Sequence, residues 1–129
     1  MSRILIVEDE EFLSKALSDN FEAEGFSVLR AQNGEVALTQ IEKQKPDMIL
    51  LDLLLPRKGG FEVLEELKKN PDWSLIPVVV LSNLGGDEQI KRALEMGADD
   101  YFVKSQHPIE EVIEKVKSTL QGGEKSFKK

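Results

Sequence analysis

Five short apolar runs recur along this chain, and each is followed by apolar residues at helical spacing. The runs are Ile4–Val7, Val28–Leu29, Met48–Leu51, Val78–Leu81 and Tyr101–Val103. They are continuous rather than alternating, which suits strands buried on both faces. Behind them come Phe12, Leu13, Ala16, Leu17 and Phe21, then Val36, Ala37, Leu38 and Ile41, then Phe61, Leu64 and Leu67. Ile90, Ala93 and Leu94 mark a fourth helix, and Ile109, Val112, Ile113, Val116 and Leu120 a fifth. This alternation predicts a single α/β domain: a doubly wound, five-stranded parallel sheet with helices on both faces and right-handed crossovers. The first, third and fourth runs are the most apolar and belong at the centre, so the expected strand order is 2-1-3-4-5. The switch point of that order, where open sheets bind ligands, lies between strands one and three.

Local signals punctuate the same pattern. Asn33-Gly34 reads as a helix cap, Gly25 and Gly97 as helix stops, and Pro108 suits the first turn of the last helix. The acids Glu8 to Glu11 open the first helix, where the helix dipole is reason enough for Glu10 and Glu11, whereas Glu8 and Asp9 sit at the strand–helix junction itself. Trp73, in the turn-rich stretch Asn70–Ser74, reads as a packing residue, and His107, the only histidine, as an incidental surface residue. Gly122-Gly123 ends the last helix, giving a domain over residues 1–122 and a polar tail over 123–129.

The net charge of −7 argues against direct nucleic-acid binding by this domain and fits one that attracts cations. Without cysteine there is neither a disulfide nor a thiolate metal site. No signal-peptide core is present, and no run approaches the ~18 apolar residues of a membrane span, so a cytoplasmic address is expected.

The run Met48–Leu51 ends in Asp52. A carboxylate directly after a buried strand is tolerable at the strand's carboxyl end, where an open sheet keeps its crevice. The other strands bring Glu8, Asp9, Ser82 and Lys104 to that edge. Each has a bland reading: Asp52 opens a turn, Ser82 caps the fourth helix, Lys104 is a solvated strand end. Their convergence on one sheet edge favours a site. Three carboxylates together repel, and a hard divalent cation, Mg²⁺ or Mn²⁺, relieves them. An ammonium and a hydroxyl beside Asp52 complete what phosphoryl transfer to a carboxylate nucleophile requires.

These residues resemble the receiver domain of bacterial two-component response regulators, from roughly Arg3 to Leu120. The resemblance rests on Ile4-Leu5-Ile6-Val7-Glu8-Asp9, on Asp52 with Pro56 and Gly60 behind it, on Pro77–Ser82, and on Gly97–Lys104. It implies a flavodoxin-like fold in which Asp52 accepts phosphate from a histidine kinase, a phosphotransfer protein or a small phosphodonor. It implies Mg²⁺ held by Glu8, Asp9, Asp52 and the backbone carbonyl of Leu54. Ser82 and Lys104 would grip the phosphoryl oxygens, and Tyr101 would be the aromatic switch. The output would be a protein–protein surface on the fourth helix, fifth strand and fifth helix, recognised by a downstream effector. Such a chain is a phosphoacceptor that assists its own phosphotransfer and dephosphorylation, rather than an enzyme acting on other molecules.

The sequence departs from the family pattern in three places. Ser105 stands where a cis proline usually follows the lysine; a cis bond before a non-proline costs about 3 kcal/mol, so a trans bond is expected. Asn83 replaces a small residue and narrows access to Asp52. Leu54 and Leu84 border the phosphoryl position without a group to orient water, which predicts slow phosphate loss. An aspartate-nucleophile phosphatase would need a second aspartate where Leu54 stands, a flavin binder would not carry the acids, and a pseudo-receiver would have lost Asp52, Lys104 or the acidic pair. Lys91 and Arg92, with Asp99 and Asp100, would support charge pairing in a phosphorylation-dependent homodimer.

Overall fold

The computed structural model describes residues 2–121. In chain order the elements are β1 (Arg3–Val7), α1 (Glu11–Ala23), β2 (Ser27–Ala31), α2 (Gly34–Lys43) and β3 (Met48–Leu51). They continue with α3 (Gly60–Lys69), β4 (Val78–Ser82), α4 (Asp87–Glu95), β5 (Asp100–Val103) and α5 (Ile109–Gln121). The sheet has the order β2-β1-β3-β4-β5, parallel throughout. The expected helix stop at Gly122-Gly123 and the tail at 123–129 lie outside the described residues.

Strand pleating divides the apolar residues between two cores. Leu5, Val7, Ile49, Leu51, Val78 and Val80 face Ala37 and Ile41 of α2, Val63, Leu64 and Leu67 of α3, and Ala93 of α4. Their neighbours Ile4, Ile6, Met48, Leu50, Val79 and Leu81 face α1 through Leu17 and Phe21, and α5 through Val112, Ile113 and Val116. Each such side chain contributes about 1.5–3 kcal/mol on burial, so the central strands anchor the domain. Trp73 packs against the first core, as expected.

Three of the turn signals act where the sequence places them, while Pro108 stands just before α5 rather than in its first turn. The Asn33 side chain accepts a hydrogen bond from the Val36 N–H at 2.9 Å. Gly25 and Gly97 adopt φ of +97° and +113°, which glycine accepts without steric cost. Other expectations need correcting. Phe12 is 90 % exposed, although it shares the helical pattern of α1. It lies five residues before Leu17, about 140° round the helix, and the buried stripe is instead made by Ser14, Leu17, Ser18 and Phe21. Val36 and Leu94 likewise stand one residue off the buried faces of α2 and α4 and are partly exposed. Glu8 and Asp9 do lie in the strand–helix junction, as expected, but α1 begins at Glu11, so Glu10 is its N-cap rather than part of its first turn.

Candidate functional site

Three of the residues singled out from the sequence have their backbones pinned one step beyond the strands. The Glu8 N–H donates to the Ala31 carbonyl at 2.9 Å, the Asp52 N–H to the Val7 carbonyl at 3.0 Å, and the Lys104 N–H to the Ser82 carbonyl at 2.9 Å. Parallel pairing therefore delivers side chains from β1, β3 and β5 to one edge, from rigid backbone.

Asp52 and Glu8 are each only 3 % exposed. The Lys104 ammonium lies 2.9 Å from Asp52 Oδ2 and 3.0 Å from Glu8 Oε1, with Glu10 Oε2 further out at 3.7 Å. Asp52 Oδ1 accepts the Leu54 N–H at 3.0 Å, and Glu8 Oε2 accepts the Glu10 N–H at 3.1 Å. Both carboxylates are thus fixed in rotation. Burial first, and the Asp52 charge second, push the Glu8 carboxyl up to about 7, against the opposing pull of the Glu10 N–H and of Lys104. Burial works against the Lys104 charge, but hydrogen bonds to Asp52 and Glu8 outweigh it and hold its pKa above the usual lysine value.

Carboxylate oxygens of Glu8, Asp9 and Asp52 lie within 4.8 Å of one another, with Asp9 on the open side. An all-oxygen set of this kind suits a hard divalent cation that keeps some of its water. The donor chemistry fits Mg²⁺ or Mn²⁺.

Ser82 is fully buried at the end of β4, and its Oγ accepts the Leu84 N–H at 3.4 Å. It is not the cap of α4, which is Gly86. The Tyr101 hydroxyl donates to the Leu84 carbonyl, so Ser82 and Tyr101 meet on the two sides of one residue. Burial and the charge of Asp52 raise the Tyr101 pKa. The structure therefore brings Glu8, Asp9, Asp52 and Lys104 into one cluster, with Leu54 joined through its amide. The Lys104-Ser105 peptide is trans, as are all peptides among the described residues.

The helix dipole does not exhaust the role of Glu10: its N–H orients Glu8 and its carboxylate faces Lys104. Its position as last residue before the helix was the available signal. His107 is not incidental: its ring meets Phe102 edge-on at 5.0 Å, and its Nδ1 lies 3.1 Å from Glu111 Oε1. Three of the four charges considered for pairing between copies are engaged internally. Arg92 lies over the Phe61 ring at 4.0 Å, Asp99 accepts the Val78 N–H at 2.8 Å just before β5, and Asp100 pairs with Lys115 at 3.4 Å.

Residues 4–117 match the family model described as the response regulator receiver domain. The chain is a member of that family. It is 39 % identical over 124 residues to the alkaline phosphatase synthesis transcriptional regulatory protein PhoP of Bacillus subtilis, covering 95 % of this chain and 50 % of that one. To the phosphate regulon transcriptional regulatory protein PhoB of Rhizobium meliloti it is 36 % identical over 121 residues, covering 94 % of this chain and 53 % of that one. The receiver thus spans about half the length of these two relatives. Among solved structures, the Mn²⁺-bound form of response regulator Rcp1 superposes with a TM-score of 0.82 at 29 % identity, covering 92 % of this chain and 93 % of the other. As a receiver domain the chain belongs with two-component signalling, and no helix among the described residues is long and apolar enough to cross a membrane.

Proposed function

We propose that this receiver takes a phosphoryl group on Asp52 from a phosphohistidine of a sensor kinase or phosphotransfer protein, or from a small acyl phosphate. The observation that carries the reading is the Lys104 ammonium seated between the buried Asp52 and Glu8 carboxylates, beside an acidic trio within 4.8 Å. An Asp52 carboxylate oxygen attacks phosphorus, the donor's P–N or P–O bond breaks, and the leaving group departs with that electron pair. Glu8, Asp9, Asp52 and the Leu54 carbonyl would hold Mg²⁺, or the Mn²⁺ named for the Rcp1 structure, and a bound cation would neutralise charge on the transferring group. Lys104 carries a fixed positive charge to the same place, and Leu54 N–H keeps the carboxylate from turning away.

Ser82 would then donate its hydroxyl to the phosphoryl group and release the Leu84 N–H. Because Leu84 also holds Tyr101, that exchange biases the surface formed by α4, β5 and α5. The surface would bind a downstream effector, or a second copy in the phosphorylated state. The cytoplasm, where kinases and Mg²⁺ are found, is the compartment this chemistry needs.

Incubation with acetyl phosphate and Mg²⁺, read by intact mass, tests the reading. One added phosphate on the wild type and none on Asp52→Ala is expected. A wild type that gains no phosphate with metal present would overturn it.

A further inference from the structure

Asn33 explains the cap of α2, but nothing in capping explains the glycine after it. The backbone of Gly34 is pressed onto the loop between β3 and α3. Its N–H donates to the Lys58 carbonyl at 3.1 Å, and a Cβ placed on it would lie 2.2 Å from that same oxygen and 2.8 Å from Val63 Cγ2. The first of these is backbone and cannot swing aside. Next to it Arg57 adopts φ +65°, a left-handed conformation that costs a non-glycine residue energy, and its Nε reaches Glu35 Oε1 at 2.9 Å. On the far side of the loop the Gly60 N–H donates to the Leu53 carbonyl at 3.2 Å. The loop so gripped begins at Asp52 and carries Leu54, whose N–H fixes the Asp52 carboxylate.

We infer that Gly34, with the Glu35–Arg57 pair, is a positioning element for the metal and phosphoryl site. The start of α2 braces the Asp52–Gly59 loop and so sets where Leu54 stands. This rests on the functional reading above, because the loop matters only if Asp52 and Leu54 hold the cation. The brace acts through backbone, as an outer shell acts on metal ligands.

The test measures Mg²⁺ affinity by calorimetry and exchange of the Leu54 amide in the metal-free protein. In Gly34→Ala the loop must move, and Mg²⁺ affinity should fall about tenfold. Ile41→Val, in the core of the same helix, should lower stability and leave Mg²⁺ affinity unchanged. Arg57→Gly accepts φ +65° and will fold even if Gly34→Ala does not. Removal of a positive charge would by itself tighten binding of a cation. A loosened brace predicts the opposite: affinity weaker by about two- to threefold and faster Leu54 exchange. Arg57→Gly that binds Mg²⁺ as tightly as wild type, or more tightly, overturns the inference. A wild type that binds no Mg²⁺ overturns the functional reading instead.

Discussion

Lys104 Nζ lies 2.9 Å from Asp52 Oδ2, tying the end of β5 to the end of β3 across the intervening β4. The same ammonium lies 3.0 Å from Glu8 Oε1 on β1's side, so one cation at the end of β5 bridges two buried carboxylates at the ends of β1 and β3. Without it, the nearly dry site would hold Asp52 with no cation beside it, and Glu8 would keep its proton to higher pH still.

Lys104→Met should therefore destabilise the metal-free protein by about 3 kcal/mol, the scale of breaking a buried pair. Added Mg²⁺ should recover part of that loss, because it supplies positive charge to the same oxygens. Urea unfolding with and without Mg²⁺ reads both effects. Phosphorylation from acetyl phosphate should slow by at least about tenfold in the same variant.

Glu8 gives the metal-free receiver a particular pH dependence. Its carboxyl titrates near 7 in the folded chain, against an ordinary value of 4.5. Between those values the folded state keeps a proton that the unfolded state has lost, so this residue's contribution to stability falls as pH rises through the window. Glu8→Gln removes the slope. Relative to wild type it should be more stable at pH 7.5 than at pH 5 by about 2 kcal/mol in the absence of metal. Paired unfolding curves at the two pH values check the difference, and saturating Mg²⁺ should shrink it.

Phospho-Asp52 should persist for minutes or longer. Leu54 is 49 % exposed and Leu84 is half-buried beside the Ser82 hydroxyl, and neither side chain carries a group that could orient an attacking water. Loss of the added phosphate mass after donor removal gives the lifetime. Decay within seconds would contradict the expectation, and Leu54→Asn should shorten whatever lifetime is found.

Gly60→Ala should damage Asp52 from behind. A Cβ there would lie 2.4 Å from both the Asp52 carbonyl oxygen and the Leu53 Cα, so the strand end must shift. A stability loss of about 2 kcal/mol, with slower phosphorylation than in an equally destabilised core variant, is expected.

Much of this architecture is legible in the sequence. Strand order follows from which runs are most apolar, and Asp52 stands out because a charge ends such a run. Asn33, Gly25 and Gly97 are read correctly because their signals are local. Phe12 is misread because periodicity counts apolar residues, whereas α1 buries two serines, one of them accepting Arg30 Nε at 2.9 Å. His107 is misread because its partner Phe102 comes from β5, and the sequence does not say which face of that strand it meets. The pressure on Gly34 and Gly60 comes from carbonyls brought near by the fold, and no local pattern encodes it.

The two-sided sheet also guards against misfolding. Leu50 and Leu51 serve opposite cores, so sliding β3 by one residue against β1 would exchange their faces and turn the next side chain about. Both cores would lose their fit at once, and Asp52 would leave the edge it shares with Lys104. A chain caught in that register cannot mature into a slightly faulty receiver; it has to come apart and pair again. Fidelity of pairing and competence for signalling are therefore inspected by the same four residues of one short strand.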